Sequence, residues 1–202
     1  MDTVLTTMFY FWVSLFIVFF LTQRGLWIFS DVAKGTVSFM LEKALGTGSD
    51  LVEGRPGSGA RSWILHSLAY FSPHPGFAIK MQRARGVKIG KGCYIGPYVQ
   101  IDLLYPELVT IEDNVAIGSN SMVFAHTNPA ANLDLKKNHY PRKLEPVLIK
   151  SGAWITPGCI ITPGTTIGKN AILSIGSVAA NSIPDNCIAM GNPARVVKKI
   201  ND

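Results

Sequence analysis

The sequence has few of the residues that build disulfide frameworks and metal centres, with three cysteines and four histidines in 202 residues. Cys93, Cys159 and Cys187 are widely spaced and form no metal-binding or redox motif. We interpret them as small buried residues of a protein in a reducing compartment. Charged residues are also scarce, at 16%, whereas 48% of residues are hydrophobic, a high share for a wholly soluble protein. The length suits one main domain.

Charge is missing altogether from residues 3–23, and residues 8–21 are almost all Phe, Trp, Val, Ile and Leu. About 20 helical residues cover roughly 30 Å, the thickness of a bilayer's hydrocarbon core, so we predict a transmembrane helix here. A signal peptide is disfavoured because no Lys or Arg precedes the run and no small-x-small cleavage site follows it. A hydrophobic helix that packs within an oligomer is the other interpretation. Basic residues follow the run, which predicts a cell-membrane protein with its body on the cytoplasmic side.

From Ile89 onward, aliphatic residues recur at intervals of six. The positions that share this spacing, in three runs, are Ile89, Ile95, Ile101, Ile111, Ile117, Val123, Ile149, Ile155, Ile161, Ile167 and Leu173. A period of six matches neither an α-helix nor an ordinary strand, and it indicates one short strand plus one turn, repeated and stacked. We therefore predict a β-solenoid over residues 87–202, in which each hexad directs one aliphatic side chain inward and a small residue often follows where the chain turns.

The chain before the repeats has two predicted parts. Residues 26–45 mix apolar and charged positions, which is typical of an amphipathic helix at a membrane surface, although a helix that caps the solenoid end fits equally well. With the apolar run they form an N-terminal α-helical membrane segment, residues 1–45. Residues 46–86 are predicted to be a linker with a short helical segment, since residues 46–62 are rich in Gly and Ser and look flexible.

The formal net charge of +6 is concentrated before the repeats and at the C-terminus. The first group comprises Lys80, Arg83, Arg85, Lys88 and Lys91. Beside a membrane segment, such a cluster most often faces anionic lipid head groups. Nucleic acid is a less favoured partner because no recognition helix or stacking platform accompanies these residues.

The count of six breaks at two places, and inserted residues in a solenoid become loops on one face. The first break inserts four residues between Ile101 and Ile111 and contains Asp102 and Glu107. The second break leaves residues 129–147 outside the coils as a polar, basic excursion loop. His126 stands at the root of that excursion, where we expect a cleft wall. A hydrogen-bonded structural histidine is the alternative interpretation.

These features resemble the hexapeptide-repeat acyltransferases, the left-handed β-helix family that includes galactoside, maltose, serine and xenobiotic O-acetyltransferases. The resemblance covers residues 87–200. It rests on the hexads, on His126 before a long loop, on the motif AWITPG that begins at Ala153, and on the closing motif GNPAR that begins at Gly191. The fold that it implies is a left-handed parallel β-helix.

The resemblance also implies a homotrimer with active sites between subunits, acetyl-CoA or another acyl-CoA as co-substrate, and no metal. His126 would act as the general base, because a sugar hydroxyl is a poor nucleophile until its proton is removed, and a neutral imidazole suits that task near pH 7. Candidate substrate-binding residues are Asp102, Glu107, Asn128, His139, Tyr140 and Trp154. Candidate cofactor-binding residues are Thr156, Gly158, Gly176, Ser177, Asn181, Pro193, Arg195 and Lys198.

Two departures from relatives bear on the cofactor site. The closing turn reads Ala180, Asn181, Ser182, where relatives commonly have a lysine that contacts the cofactor in some of them. Pro157 has no N–H, although in at least one relative the residue aligned near it supplies the oxyanion donor. A neighbouring amide must therefore take that role.

The function that we predict is transfer of acetyl from acetyl-CoA to a hydroxyl of a glycan or lipid-linked sugar at the membrane, where tethering raises the effective concentration of a confined substrate. N-acetylation of an amino sugar and transfer of a longer acyl chain would use the same residues. A non-catalytic trimeric scaffold is less favoured, because it needs neither the long loop nor the basic terminus. A zinc carbonic anhydrase on a similar solenoid would need three converging histidines, whereas only His126 lies on the coils.

Overall fold

The structure is a computed structural model that describes residues 58–128 and 132–200. The predicted transmembrane helix, the predicted interfacial helix and the first part of the predicted linker lie outside these ranges. No helix within them has the length and hydropathy of a membrane span.

Two α-helices precede the strands in the described part of the chain: α1 is Ser58–Tyr70 and α2 is Pro75–Arg85. Residues 58–62 were predicted to be flexible, and this prediction is wrong because they form the first turn and a half of α1. Ser62 is buried there and its hydroxyl donates to the main-chain oxygen of Leu103 in the solenoid (3.0 Å), so tertiary contacts override the Gly/Ser composition.

Short parallel strands form the solenoid. The first coil contains β1 (Lys88–Ile89), β2 (Tyr94–Ile95) and β3 (Gln100–Ile101), and the second contains β4 (Val109–Ile111), β5 (Ala116–Ile117) and β6 (Met122–Val123). The excursion carries β7 (His126–Thr127) and β8 (Lys143–Leu144). The third coil contains β9 (Val147–Ile149), β10 (Trp154–Ile155) and β11 (Ile160–Ile161), and the fourth contains β12 (Thr166–Ile167), β13 (Ile172–Leu173) and β14 (Val178–Ala179). The last strands are β15 (Cys187–Gly191) and β16 (Ala194–Lys199). Short helical turns occupy Pro106–Leu108 and Leu135–His139.

Each coil contributes one strand to each of three parallel sheets. The sheets have the orders β1-β4-β9-β12, β2-β5-β10-β13-β15-β16 and β3-β6-β11-β14, with β16 joining antiparallel. Equivalent aliphatic residues stack along each sheet, as Ile95, Ile117, Ile155 and Leu173 do in the second. The predicted inward residues are all buried except Ile89, which is partly buried on the first coil and packs against the core.

The corners of the prism require small residues for a steric reason. A Cβ added at Gly168 would lie 2.4 Å from the main-chain nitrogen of Asp185 in the next coil. A Cβ added at Gly118 would lie 2.5 Å from the nitrogen of Pro157. The prediction that a small residue follows the inward one is therefore confirmed at these corners.

Helix α2 covers the open end of the first coil. The N–H groups of Gly90 and Asp102 donate to the second coil, so the carbonyl oxygens of Ile89 and Ile101 point away from it. No earlier described strand pairs with these oxygens, which need other donors. Arg83 donates to the oxygens of Ile89 (2.9 Å) and Gly90 (2.6 Å), while Arg85 donates to those of Ile101 (3.2 Å) and Asp102 (2.6 Å). The prediction that this cluster faces lipid head groups is therefore wrong for Arg85, which is buried, whereas for the exposed Arg83 it stays a prediction.

Candidate active site

His126 lies where the winding is interrupted. Strand β7 begins at His126 directly after the second coil and pairs antiparallel with β8, so that His126 stands opposite Leu144. The two strands close the base of the excursion, and the third coil resumes at Val147. The position predicted from the broken count, at the root of the loop, is where the structure has this histidine.

The imidazole of His126 contacts a buried carboxylate. Nδ1 lies 2.6 Å from Oδ2 of Asp102, which is 0% exposed, whereas the His126 side chain is 19% exposed. Asp102 follows β3 at the start of the first break. The carboxylate also accepts the N–H groups of Leu104 (3.0 Å), Tyr105 (3.0 Å) and Ala125 (2.8 Å).

This hydrogen-bond pattern assigns the donor and acceptor roles in the pair. The Asp102 carboxylate accepts from three main-chain amides, so its oxygens serve as acceptors. Nδ1 of His126 is then the donor in the pair, and in the neutral ring Nε2 carries the lone pair. The ring is oriented to accept a proton at Nε2, as a general base must.

Two side chains that the sequence did not identify as site residues lie beside the imidazole, one in contact with it and the second in contact with the first. The ring of Tyr105 packs edge to face on that of His126, with centroids 5.3 Å apart, and the guanidinium of Arg142 lies 4.8 Å from the centroid of the Tyr105 ring. Tyr105 belongs to the first break and Arg142 to the second, so the two interruptions meet at His126. The sequence feature that could have identified them is that both residues lie where the spacing of six is interrupted.

A cavity of about 620 Å³ opens beside β7, and we call it the excursion cavity. Its lining includes Thr127, Asn128, Leu135, Tyr140, Lys143, Glu145 and Thr162. Two predicted substrate residues, Asn128 and Tyr140, are among them. His139 is exposed in the helical turn of the excursion, and Glu107 lies in the turn at Pro106–Leu108, so neither lines this cavity.

A second cavity of about 720 Å³ runs along the outer side of the second sheet, and we call it the coil groove. Its lining includes Trp154, Thr156, Pro157, Ile172, Ile175, Gly176, Ser177, Ile188, Met190 and Asn192. Trp154 was predicted to bind substrate, and Thr156, Gly176 and Ser177 were predicted to bind the cofactor. Gly176 has φ +68°, and a Cβ added there would meet no atom within 4 Å, so the wall is open at this point.

No family model matches the chain. The galactoside O-acetyltransferase of Lactococcus lactis is 33% identical over 120 residues, which cover 58% of this chain and 55% of that protein. A maltose O-acetyltransferase from Clostridium difficile has a crystal structure similar to this one, with a TM-score of 0.54, 26% identity, and coverage of 72% of this chain and 87% of that chain. A galactoside acetyltransferase in complex with coenzyme A gives a TM-score of 0.54 at 24% identity, covering 72% and 82%. The repeat domain has the fold of the hexapeptide-repeat acetyltransferases.

The hexapeptide-repeat acetyltransferase fold is a left-handed β-helix, which confirms the fold class predicted for the repeats. The chain spans about half the length of the first curated relatives that it matches. The similarity therefore identifies the fold of the repeats, and the activity of the whole protein is inferred below.

The remaining predicted cofactor residues of this acetyltransferase fold lie around the coil groove without lining it. Gly158 stands one coil before Gly176 at the same corner, since a Cβ on Gly158 would lie 3.9 Å from the Cα of Gly176. Asn181 is exposed after β14, and Pro193 lies in the turn between β15 and β16. Arg195 and Lys198 are exposed on β16. Their roles stay predictions.

The amides at the groove corner are used within the stack. The N–H of Gly158 donates to the oxygen of Ser119 (2.9 Å), and the N–H of Gly176 donates to that of Pro157 (3.1 Å). Pro157 has no N–H. None of these three residues offers a main-chain donor to an oxyanion in this arrangement.

Proposed function

We propose that the protein is an acetyl-CoA-dependent O-acetyltransferase whose acceptor is a hydroxyl group of a sugar. The observation that carries this proposal is the His126 and Asp102 pair, an oriented base with its lone pair at Nε2, at the mouth of the excursion on an acetyltransferase fold. The curated relatives that support it are O-acetyltransferases, and those named for galactosides support a sugar acceptor.

The pair supports a direct transfer. Nε2 of His126 removes the proton from the acceptor hydroxyl as its oxygen forms a bond with the thioester carbon. The tetrahedral intermediate collapses, the carbon–sulfur bond breaks, and the imidazolium returns its proton to the coenzyme A sulfur. Asp102 stabilises the positive charge of the ring while the proton is held there, because its carboxylate lies 2.6 Å away.

The coil groove is the proposed site for acetyl-CoA. Its wall is mainly apolar and includes glycine where the pantetheine arm would need close approach to the main chain. Arg195 and Lys198, exposed near its end, would meet the phosphates, as a guanidinium and an ammonium do well. Bound zinc or another metal has no part in this proposal.

Two copies of the chain complete the proposed site. His126 extends from the end of the third sheet, whereas the coil groove lies on the second sheet, and the two cavities share no lining residue. Packing of two solenoids side by side would bring His126 of one chain, the general base, against the coil groove of the next. Repeating that contact closes a homotrimer with three equivalent sites.

The acceptor is proposed to be a glycan or a lipid-linked sugar at the cytoplasmic face of the cell membrane. The uncharged run of residues 3–23 supports membrane attachment, and so do the exposed apolar side chains of Trp63 and Leu68 on α1 and of Phe71 directly after it. Co-flotation of the full chain with vesicles of zwitterionic and anionic lipid tests attachment. Recovery of all the protein in the lipid-free fraction would contradict it.

The proposed activity is tested by incubating the full chain with acetyl-CoA and a panel of galactosides, glucosides, amino sugars and lipid-linked glycans. Released thiol measures turnover, and mass spectrometry of the products identifies the acetylated position. We expect ester formation on a hydroxyl, and a His126→Ala variant slower by on the order of 100-fold or more. Amide formation on the amino sugars alone, or an unaffected His126→Ala variant, would contradict the proposal.

A further inference from the structure

The buried guanidinium of Arg85 contacts the main chain of Asp102, whose carboxylate holds His126. Arg85, the last residue of α2, is 8% exposed, which is unusual for an arginine, since removing a guanidinium from water costs several kcal/mol unless it is well paired. The helix ends here because Gly86 adopts the left-handed conformation at φ 110°, and the guanidinium enters the space between the two helices and the first coil.

All three nitrogens of the guanidinium donate to acceptors. Nε donates to the hydroxyl of Ser62 (3.1 Å), and Nη1 donates to Oε1 of Gln82 (2.5 Å) and Nδ1 of His66 (3.2 Å). These acceptors come from α1 and α2. On the opposite side, Nη1 reaches the main-chain oxygen of Ile101 and Nη2 that of Asp102, at 3.2 Å and 2.6 Å.

The last contact joins this cluster to the proposed active site. Asp102 uses its main-chain oxygen to accept from Arg85 and its carboxylate to hold Nδ1 of His126. One residue thus links the guanidinium to the imidazole. The bidentate fork of Arg85 fixes two successive carbonyls at the point where β3 ends, and with them the direction in which the Asp102 side chain leaves the main chain.

Charge supports the same link. Burial lowers the pKa of Arg85 to about 10, while attraction to the Asp102 carboxylate opposes that shift, so the guanidinium stays charged near neutral pH. The positive charge of Arg85 therefore interacts with the same carboxylate that accepts from three main-chain amides and contacts His126.

We infer that Arg85 is a positioning residue of the proposed acetyltransferase: it fixes the main chain of Asp102 and thereby the orientation of the His126 ring. The inference rests on the proposed function for its kinetic consequence only. The network also makes α1 and α2 part of the catalytic apparatus, because Ser62, His66 and Gln82 hold the far side of the guanidinium.

Arg83 provides a matched control. It is two residues away, it donates to the successive carbonyls of Ile89 and Gly90, and it caps the same open end of the first coil at the corner that follows β1. Neither of its acceptors belongs to the first break or to the excursion. Arg83→Gln therefore removes the same kind of cap without touching the residue that holds His126.

Two measurements test the inference on wild type, Arg83→Gln, Arg85→Gln and Arg85→Lys. For Arg85→Gln we expect kcat to fall roughly 10- to 100-fold with the KM for acetyl-CoA unchanged, because a small misplacement of the base slows the chemical step. Arg85→Lys keeps the charge but cannot span two carbonyls, and should recover part of the loss. Arg83→Gln should lower thermal stability and leave kcat within about twofold.

The second measurement needs no activity. The Nδ1 proton that His126 donates to Asp102 should give a downfield resonance in protein labelled with ¹⁵N-histidine, assigned by its loss in His126→Ala. It should shift or vanish in Arg85→Gln and stay in place in Arg83→Gln. An unmoved resonance together with wild-type kcat in folded Arg85→Gln would overturn the inference. If Arg85→Gln does not fold, the same two readouts on Arg85→Lys decide it. Absence of transfer by the wild type would instead contradict the proposed function.

Discussion

Both oxygens of the Asp102 carboxylate accept hydrogen bonds, so replacing either oxygen by a donor would disrupt the site. Asp102→Asn replaces one oxygen by an NH2 group. In one amide orientation this donor would face the N–H of Ala125 and the ring of His126, and in the other it would face the N–H groups of Leu104 and Tyr105. We expect kcat to fall on the order of 100-fold or more, and the free energy of unfolding to fall by about 1–3 kcal/mol.

Asp113→Asn is the matched control for that change. Asp113 is exposed and accepts a single main-chain bond, from the N–H of Lys91 at 2.6 Å, which an amide oxygen can accept equally well. Steady-state kinetics and thermal unfolding of both variants separate the two outcomes. Equal losses in the two variants would show that the pair with His126 has no special role.

His66 makes the stability of the helical cap depend on pH. Burial, with a contribution from the charge of Arg85, lowers the pKa of His66 from 6.5 to about 4. Arg85 can only donate, so Nδ1 of His66 accepts and the folded state holds the ring neutral. Between pH 6.5 and 4 the unfolded chain therefore binds more protons than the folded chain, and the free energy of unfolding falls as the pH falls through this window.

A glutamine at this position tests that dependence. His66→Gln keeps an acceptor for Arg85 and does not titrate, so the decline of the melting temperature between pH 6.5 and 4 should be shallower than in the wild type. His74→Gln, at an exposed histidine before α2, is the control and should follow the wild type. The measurement is thermal unfolding at fixed ionic strength. Parallel pH profiles for the two variants would contradict the assignment to His66.

Some residues of the candidate site could be predicted from the sequence, and others could not. His126 and Asp102 could be identified as candidate site residues because each stands at a break in a regular count. The role predicted for Asp102 was wrong: it was expected to bind substrate, whereas its carboxylate is fully buried and holds the His126 ring. Arg85 was grouped with exposed basic neighbours, since the sequence does not reveal that α2 docks on the open carbonyls of the first coil. Tyr105 reaches His126 only because the two breaks, distant in sequence, meet on one face of the stack.

Among the elements, the regular coils were the most predictable. Each inward residue faces equivalent residues above and below, so the same local pattern recurs and the spacing of six persists. The count fails at the closing coil. After Ala179 the next stacked residue is Ile183, four positions later, and Ile183 bridges to Ile167 of the first sheet. The turn there is two residues shorter than in the regular coils. No inserted loop or other feature of the sequence indicates this shortening.

The corner glycines allow a test of coil stacking. In Gly168→Ala the added methyl group would lie 2.4 Å from main-chain atoms of Pro184 and Asp185, which cannot move without shifting the next coil. We expect a loss of about 1–3 kcal/mol in the free energy of unfolding. Gly76→Ala, in α2, meets only Nδ1 of His74 at 3.9 Å and should be neutral or stabilising. Denaturant titration compares them, and equal effects would contradict the steric account.

In the solenoid, the residues that stabilise the fold are distinct from the residues proposed to carry out the reaction. The three stacked rows of aliphatic side chains hold the sheets, and their outer sides are left to form surfaces such as the coil groove. Chemistry-bearing side chains enter where the winding is interrupted, as Asp102 and His126 do. The excursion cavity and the coil groove lie on different faces of the solenoid. Within a single chain, His126 and the coil groove therefore face different directions.

That separation predicts complementation between two variants that are each impaired alone. His126→Ala removes the base, and Ile175→Glu adds a carboxylate to the groove at a residue that is 73% exposed, where it would repel the phosphates of acetyl-CoA without disturbing the core. Ile175→Lys, of similar size and opposite charge, should retain binding. His126→Ala and Ile175→Glu should each, by itself, be slow at limiting acetyl-CoA.

Co-expression of the two variants with different tags, followed by purification through both tags, yields mixed oligomers. If each site combines His126 of one chain with the groove of its neighbour, a mixed trimer contains one intact pairing, so about one third of the wild-type activity should return. If each site lay within one chain, every site would still lack the base or the groove. Mixed oligomers as slow as the parent variants would therefore contradict the proposed inter-subunit site, while leaving the role of His126 to be judged from the His126→Ala variant alone.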